Sequence, residues 1–380
     1  MQAPTVTEIA GSAAKETKTR FYRPELDVLR FLAFFLVFVS HALAWTDPSS
    51  LLLRGIKFGA VMGVPVFFCL SAYLITELLL REKDKTQTVS ISSFYGRRIL
   101  RIWPLYFAAL FVGFMICPMI SNQKITVAAL LSYIFLAGNW YTYFHGYLPE
   151  GLSVLWSIGV EEQFYLVWPS IIRYLNRRSI VMTACLMWLI SLVSAMWLNS
   201  RPVVSPYIWV NTLPHLQYFA IGALISVGFR KNLPRIHRYL RPVLIVAALA
   251  LFLFVIPNWS IMTLKYGTPL ATACTGHLIG GAACAFLLIG ILGAKIPARM
   301  NFLVYLGKIS YGLYVYHLWC LKFVMSVALH ELHIKQHPII LTFGFALPLA
   351  ILVSAISYRY FESPFLRLKE RLEIIQSRAV

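Results

Sequence analysis

Charged residues are scarce in this sequence of 380 residues: aspartate, glutamate, lysine and arginine make up 13% of it, whereas hydrophobic residues make up 59%. This charged fraction is about half that of an average soluble protein. Apolar stretches of about 18 to 22 residues recur between positions 26 and 358, and a helix needs that length to cross a bilayer. A soluble core could not bury so many of them, so the composition predicts an all-α integral membrane protein.

Acidic residues are the rarer charged kind, 15 against 34 lysines and arginines, which gives a formal net charge of +19. Such a charge could indicate a nucleic-acid partner, but the positions of the basic residues favour another explanation. They cluster at 15–30, 81–101, 173–178, 230–241, 295–308 and 359–378. The clusters follow every second apolar stretch, as the cytoplasmic loops of a multi-pass membrane protein do. We therefore expect no nucleic-acid partner.

The cysteines lack the spacing of a disulfide framework or of a metal site, and all of them fall inside apolar stretches. They are Cys69, Cys117, Cys185, Cys274, Cys284 and Cys320. The polar N-terminus lacks the cleavage site of a secretory signal peptide. The sequence thus predicts small core thiols, no metal site and no permanently bound cofactor.

About ten transmembrane helices would place both termini and every basic cluster in the cytoplasm. The spans are predicted at 26–45, 56–80, 100–118, 154–175, 179–198, 212–229, 242–257, 270–293, 309–329 and 338–358. An eleventh span at 125–137 would place two basic clusters outside, so this stretch is predicted to be an interfacial or re-entrant helix on the outer side. Residues 1–22 are predicted to be a disordered cytoplasmic tail and 367–380 a second tail, flanking a domain at 23–366 in the plasma (inner) membrane.

Ionisable side chains are costly inside a bilayer, and each is therefore a candidate for function. Arg30 and His41 are eleven residues apart, so on one helix they share a face with a rise of roughly 16 Å between them. The helix would carry a cation near the cytoplasm and an imidazole deep in the membrane. Asp27, one turn before Arg30, could pair with it. The alternative is a lone histidine packed in a helix bundle.

Three arginines, Arg97, Arg98 and Arg101, open the third predicted span in SFYGRRILRIWP. Arg98 and Arg101 share a face at i and i+3. The planar guanidinium binds phosphate oxygens bidentately, so the pair is typical of a phosphate site. The usual enrichment of basic residues at the cytoplasmic end of a membrane helix would explain the charge equally well.

Glu161 and Glu162 lie in LWSIGVEEQFYLVWP, at a depth comparable with that of His41. A carboxylate bonded to one ring nitrogen would orient the imidazole and raise its basicity. Adjacent helical residues point about 100° apart, so only one glutamate can do this, and the sequence does not decide which. His317, in ISYGLYVYHLW, is better explained as a structural histidine bonded to nearby tyrosines.

Taken together, these segments resemble the integral-membrane acyltransferase family 3, whose members O-acylate envelope glycans, antibiotics and other hydroxyl compounds. The resemblance includes YRPELDVLRFLAFFLVFVSH, GAVMGVPVFFCLSAYLI, the two segments quoted for the arginines and glutamates, ISYGLYVYHLW and RYFESP. One departure is Ala72, where the family usually has glycine after the serine; it is expected to narrow helix packing near the donor path. The chain resembles the stand-alone members, without an extracellular esterase-like domain.

The resemblance implies an O-acyltransferase with acetyl-CoA or another acyl-CoA as donor. His41 would match the essential histidine and Arg30 its partner in the donor channel. Arg98 and Arg101, with Arg97 beside them, would hold coenzyme A phosphates, and Glu161 or Glu162 would orient His41. The residues expected to contact substrate are Trp140, Trp156, Tyr165 and His317.

Three alternatives remain open at this level. The acceptor could be a hydroxyl of an envelope glycan or other sugar, or else an antibiotic or a lipid. His41 could act as a general base or carry the acyl group covalently. From a different class, a proton-coupled secondary transporter would also bury histidine, glutamate and arginine, although the paired Gly/Pro-interrupted helices of such folds are missing.

Overall fold

The computed structural model describes residues 21–45, 50–120, 125–200, 208–230, 236–255, 269–334 and 337–375. Within these ranges every regular element is helical. The predicted N-terminal tail, apart from its last two residues, and the last five residues of the C-terminal tail lie outside them. The rest of that second tail is folded against the domain, because Lys369 and Glu373 line a cavity between the helices.

The helices in chain order are α1 (Pro24–Ala42), α2 (Leu51–Gly59), α3 (Gly63–Thr86), α4 (Ile91–Ile120), α5 (Val127–Ile134), α6 (Gly138–His145), α7 (Trp156–Tyr174), α8 (Arg177–Asn199), α9 (Thr212–Phe229), α10 (Leu240–Ala250), α11 (Leu270–Ile291), α12 (Asn301–Lys308), α13 (Ser310–Ser326), α14 (Pro338–Leu341), α15 (Leu347–Ser357) and α16 (Ser363–Glu370). The last three join through π-helical turns into one continuous helix, Pro338–Glu370. Each of the ten predicted spans falls on helical structure, although residues 256 and 257 of one span lie outside the described ranges.

Seven helical segments of the described chain are long and apolar enough to cross a bilayer. The three other predicted spans are α1, α7 and α10. The helix α1 carries three charges, Glu25, Asp27 and Arg30, in its first two turns, which makes it more polar than a lipid-facing helix. The all-α membrane fold is thus confirmed, whereas the cytoplasmic location of both termini stays a prediction.

The stretch predicted as a non-spanning helix, 125–137, contains α5 and leads into α6. Each of these helices has eight residues, a rise of roughly 12 Å that is too short to cross a bilayer. The chain turns between them at Leu136, whose φ is 58°. Asn139 then ties α6 to the bundle, because its amide oxygen accepts from Gln163 of α7 at 2.8 Å and its amide nitrogen donates to Thr212 at 2.9 Å.

The helix α1 lies inside the bundle, against α3, α12 and α13. Two glycines allow the close approach: a Cβ on Gly63 would collide with the main chain at Ala33, and one on Gly307 with the main chain at Asp27. Because neighbours surround α1, Arg30 and His41 face protein and cavities rather than lipid.

Ala72, which is expected to narrow helix packing near the donor path, does lie in a close helix contact, and its effect on a donor path stays a prediction. Ala72 is fully buried between α3 and α9, and its methyl group packs against Gly222 of α9. Its neighbour Ser71 lines a cavity and Ala72 does not. The methyl group therefore occupies the contact between α3 and α9, on the side of α3 that faces away from the cavity.

Candidate active site

Two cavities enter the bundle from opposite ends of α1. We call the first the arginine cavity, since its lining includes Arg23, Arg30, Arg97, Arg98 and Arg101. We call the second the histidine cavity, since its lining includes His41. The two share the lining residues Val64 and Tyr314. A molecule that fills the first cavity can therefore come within one side chain of the second.

The arginine cavity has a basic mouth in which several cations already have partners. Arg30 pairs with Asp27, as the sequence suggested. Arg97 binds Glu82 at 3.1 Å and donates to the carbonyl oxygen of Leu372 at 2.8 Å. These contacts give Arg97 a structural role, and its predicted role in binding a donor stays a prediction.

Arg98 differs from its neighbours in the mouth, because no carboxylate of the described residues pairs with it. Its guanidinium lies over the rings of Phe94 at 5.6 Å and Tyr165 at 5.3 Å. Its buried Nε has no hydrogen-bond partner within the described chain. Cation–π contacts leave the N–H fork of Arg98 available to an anion.

Deeper in the arginine cavity, Ser71 of α3 and Tyr165 of α7 both donate hydrogen bonds to Oε1 of Glu161. All three line the cavity, as does Ser157 one turn before Glu161. This cluster places a carboxylate and two hydroxyls along an otherwise apolar wall. It can accept from the N–H groups of an extended ligand and donate to its carbonyl oxygens.

His41 contacts a second histidine. Its Nδ1 lies 3.0 Å from the carbonyl oxygen of Val37 and 3.1 Å from Nε2 of His317 on α13. The Nδ1 of His317 in turn lies 2.7 Å from the carbonyl oxygen of Tyr314. His317 is fully buried, and its ring meets Phe34 edge to face.

The carbonyl partners define which nitrogens carry protons. A carbonyl oxygen only accepts, so Nδ1 of each histidine is the N–H that faces it. Nε2 of His317 is then an acceptor for the N–H of His41. The remaining nitrogen, Nε2 of His41, makes no hydrogen bond with any described residue and keeps its lone pair. It is the basic atom that His41 offers to the histidine cavity.

Tyr314 lies where the two cavities meet. Its hydroxyl is 2.5 Å from Oγ of Ser157 and donates to the carbonyl oxygen of Val154 at 3.2 Å. Sequence reasoning missed this residue as part of the site. The signal was present in its spacing, since Tyr314 precedes His317 by one turn and therefore shares its face.

The expected contact between His41 and a glutamate is absent from the described residues, because His317 occupies that side of the ring. The two glutamates do point different ways, as adjacent helical residues must. Glu161 faces the arginine cavity. Glu162 lines neither cavity; its Oε2 accepts from Trp103 of α4 at 3.4 Å, and its buried Oε1 has no partner within the described chain.

The four residues predicted to contact substrate are separated by the structure. Trp156 lines the histidine cavity, whereas Tyr165 lines the arginine cavity. His317 lies behind His41. Trp140, on α6, packs against Tyr143 and lines neither cavity. Sequence reasoning also missed Tyr147 and Lys322, which line the histidine cavity beside His41.

Comparison with known proteins gives a consistent result. Residues 23–359 match the model of a family described as "Acyltransferase domain". A candidate O-acetyltransferase of Staphylococcus aureus strain MSSA476 is 27% identical over 366 residues, which cover 90% of this chain and 57% of the relative. The O-acetyltransferase OatA of Staphylococcus aureus strain NCTC 8325 / PS 47 is 26% identical over 373 residues, with the same shares covered. The chain thus spans little more than half the length of these relatives. No solved structure matches it.

Proposed function

The chain belongs to the acyltransferase domain family, and from this premise we propose that it is a membrane O-acyltransferase that moves an acyl group from acyl-CoA to a hydroxyl on the opposite side of the bilayer. One observation carries the proposal: a cavity with a basic mouth meets, at Tyr314, a second cavity that contains His41. A donor that must stay in the cytosol and an acceptor that must stay outside need such an arrangement. The names of the relatives are consistent with an acetyl group.

The donor would occupy the arginine cavity. Its nucleotide phosphates would bind at Arg98 and Arg101, since guanidinium forks suit phosphate oxygens. Its pantetheine arm would pass Arg30 and the Glu161 cluster, whose carboxylate can accept from an amide N–H. Arg30 and His41 are separated by roughly 16 Å along α1, a distance that the extended arm can span between its phosphate end and its thioester. The thioester would then lie at Tyr314, within reach of His41.

The transfer step follows from the free nitrogen of His41. Nε2 of His41 would accept the proton of the acceptor hydroxyl while that oxygen attacks the thioester carbonyl carbon. A tetrahedral oxyanion would form, and the hydroxyl of Tyr314 would turn from the carbonyl oxygen of Val154 to donate to it. The carbon–sulfur bond then breaks, and the coenzyme A thiolate takes the proton from Nε2. The products are an ester and free coenzyme A.

His317 would stabilise the protonated form of His41. Its Nε2 accepts from Nδ1 of His41, so a positive charge on that imidazole would strengthen the hydrogen bond. Its own tautomer is set by the carbonyl oxygen of Tyr314. In this scheme the carbonyl group and the second histidine have the orienting role that the sequence analysis gave to a glutamate.

The acceptor would enter through the histidine cavity from the outer side of the plasma membrane, and we propose a sugar hydroxyl of an envelope glycan or a related compound. Tyr147, Trp156 and Trp209 line this cavity and offer aromatic faces with polar edges. We expect no secondary transport, since a transporter needs one site that opens alternately to both sides.

Coenzyme A is expected to stabilise the purified protein against heat. A ligand that binds only the folded state raises its free energy of unfolding, so at a saturating concentration the Tm should rise by at least about 2 °C. Adenosine and pantetheine, each lacking the pyrophosphate, are the control ligands and should give smaller shifts. An unchanged Tm with coenzyme A, measured by differential scanning fluorimetry in detergent, would contradict the donor assignment.

A His317→Phe variant should lower kcat by about 10- to 100-fold with little change in the donor KM, because it removes the acceptor that orients the N–H of His41. His317→Gln, whose amide oxygen can accept that N–H, should recover part of the loss. The control is His330→Phe, an exposed position in the helical turn that follows α13. Equal kcat for all four proteins in a labelled acetyl-CoA assay would exclude this role for His317.

A further inference from the structure

Part of the wall of the arginine cavity comes from α16 and the turn that follows it. Lys369, on α16, and Glu373, in the turn, both line the cavity. The turn is tied to α4, because Arg97 donates to the carbonyl oxygen of Leu372 at 2.8 Å. The helix α16 packs against α4 as well. The two elements thus hold a lysine and a glutamate against the basic mouth of the cavity.

Lys369 and Glu373 form an ion pair that is almost completely buried. Nζ of Lys369 lies 2.8 Å from Oε1 of Glu373, and the two side chains are 8% and 6% exposed. Taking both charges out of water is costly, and a pair of well-packed apolar residues often stabilises a fold equally well. A buried ion pair in the wall of a basic cavity is therefore a candidate for function.

The neighbours of this pair are the arginines expected to bind phosphate. Lys369 lies within electrostatic range of Arg101 and Arg98. Glu373 lies within electrostatic range of Arg97. Like charges repel, and the carboxylate of Glu373 reduces the repulsion between Lys369 and the arginines. A phosphate group would reduce it in the same way, and it carries more charge and more acceptor oxygens than a carboxylate.

We infer that Lys369 is a third phosphate-binding cation of the donor site, and that a phosphate of the donor replaces the carboxylate of Glu373 on it. Lys369 would exchange one anion for another, so its buried ammonium would keep a counter-charge throughout. Glu373 follows the end of α16, so its side chain can turn toward solvent without disturbing the helix. The inference rests on the proposed function in that it takes the occupant of the arginine cavity to be the donor, whereas anion exchange at Lys369 depends only on the cavity.

The exchange predicts opposite effects for the two members of the ion pair. Lys369→Gln removes a ligand of the phosphate and should raise the Kd of coenzyme A about 10-fold, whereas Glu373→Gln removes a competing anion and should lower it about 3- to 10-fold. Lys369→Arg retains the charge and should stay close to wild type. A pair that only supports the fold would give weaker binding in both variants or no change in either. The Kd values are measured by titration calorimetry on the purified protein in detergent, with coenzyme A and inorganic pyrophosphate as probes.

Arg367→Gln and Glu370→Gln are the matched controls, because they remove the same charges at exposed positions of α16 that line neither cavity. Both should keep the wild-type Kd. The inference is overturned if the wild type binds neither probe, or if the binding of a probe is not weakened by Lys369→Gln and tightened by Glu373→Gln. Binding of coenzyme A that neither variant changes would refute the exchange and leave the enzyme standing. Opposite changes with pyrophosphate in a protein that does not bind coenzyme A would refute the donor assignment and leave the Lys369 site standing.

Discussion

A His41→Ala variant is expected to lose acyl transfer by a factor of about 10² to 10⁴, the usual contribution of a positioned general acid–base group. The loss should appear in kcat and in kcat/KM together, because the proton transfer occurs only in the transition state. The donor KM should change little, since His41 lines the histidine cavity and not the arginine cavity. Transfer of labelled acetyl groups by purified protein measures the effect.

The control for this variant is His330→Ala, a substitution at an exposed histidine beyond the end of α13. Coenzyme A should stabilise His41→Ala as much as wild type, which would show that the protein is folded and its donor cavity intact. Wild-type transfer by a His41→Ala protein that still binds coenzyme A would refute the general-base role. Transfer restored by added imidazole would support it.

The His41–His317 pair also bears on the choice between direct transfer and a covalent acyl-histidine. Both routes need a neutral His41 with a free Nε2, and the tautomer set by Val37 and His317 meets that need. They differ when the acceptor is withheld: the covalent route leaves a label on the protein, and the direct route leaves none. Intact-mass measurement of wild type and His317→Phe after incubation with acetyl-CoA alone distinguishes them.

Those features of the fold that are determined within a single segment of the chain could be predicted from the sequence. Hydropathy and length predicted ten spans that fall on helices, seven of them long and apolar enough to cross a bilayer, and helical geometry put Arg30 and His41 on one face. The non-spanning stretch at 125–137 followed from the absence of lysine and arginine in the loop after it. Each of these inferences uses residues that are close along the chain.

The parts that depend on contacts between distant segments did not follow. His317 is 276 residues from His41, and periodicity within α13 gives no information about which helix packs beside it. The sequence showed that Glu161 and Glu162 must diverge, but the direction of each was set by Ser71 on α3 and Trp103 on α4. The glutamate partner of His41 was therefore inferred only from its depth in the membrane. Depth does not show toward which neighbouring helix a side chain points.

The same limit applies to the arginines. Their spacing identified a face, and the structure then divided their roles, since Arg97 is bound to Glu82 and to the main chain at Leu372. Arg98 instead lies over two aromatic rings inside the cavity. Of the three, Arg98 and Arg101 are consequently the pair whose loss should affect the donor most.

Arg98→Ala combined with Arg101→Ala is expected to raise the KM for acetyl-CoA by about 10²- to 10⁴-fold. Each charged hydrogen bond to phosphate contributes about 1.5–3 kcal/mol, and two are removed. Arg98→Lys should recover only part of the loss, because a point charge replaces a planar fork. The control is Arg178→Ala, at an exposed position near the start of α8.

A second donor substrate measures the contribution of the phosphate contacts separately. S-Acetylpantetheine has the thioester and the arm of acetyl-CoA but lacks its nucleotide, so it cannot use the arginines. Wild type should prefer acetyl-CoA over acetylpantetheine by the same factor of about 10² to 10⁴. The double variant should lose this preference, and its kcat/KM for acetylpantetheine should stay near the wild-type value. A double variant that keeps the preference would show that the phosphates bind elsewhere. Equal losses with both donors would instead show that the arginines support the fold of the cavity rather than the nucleotide.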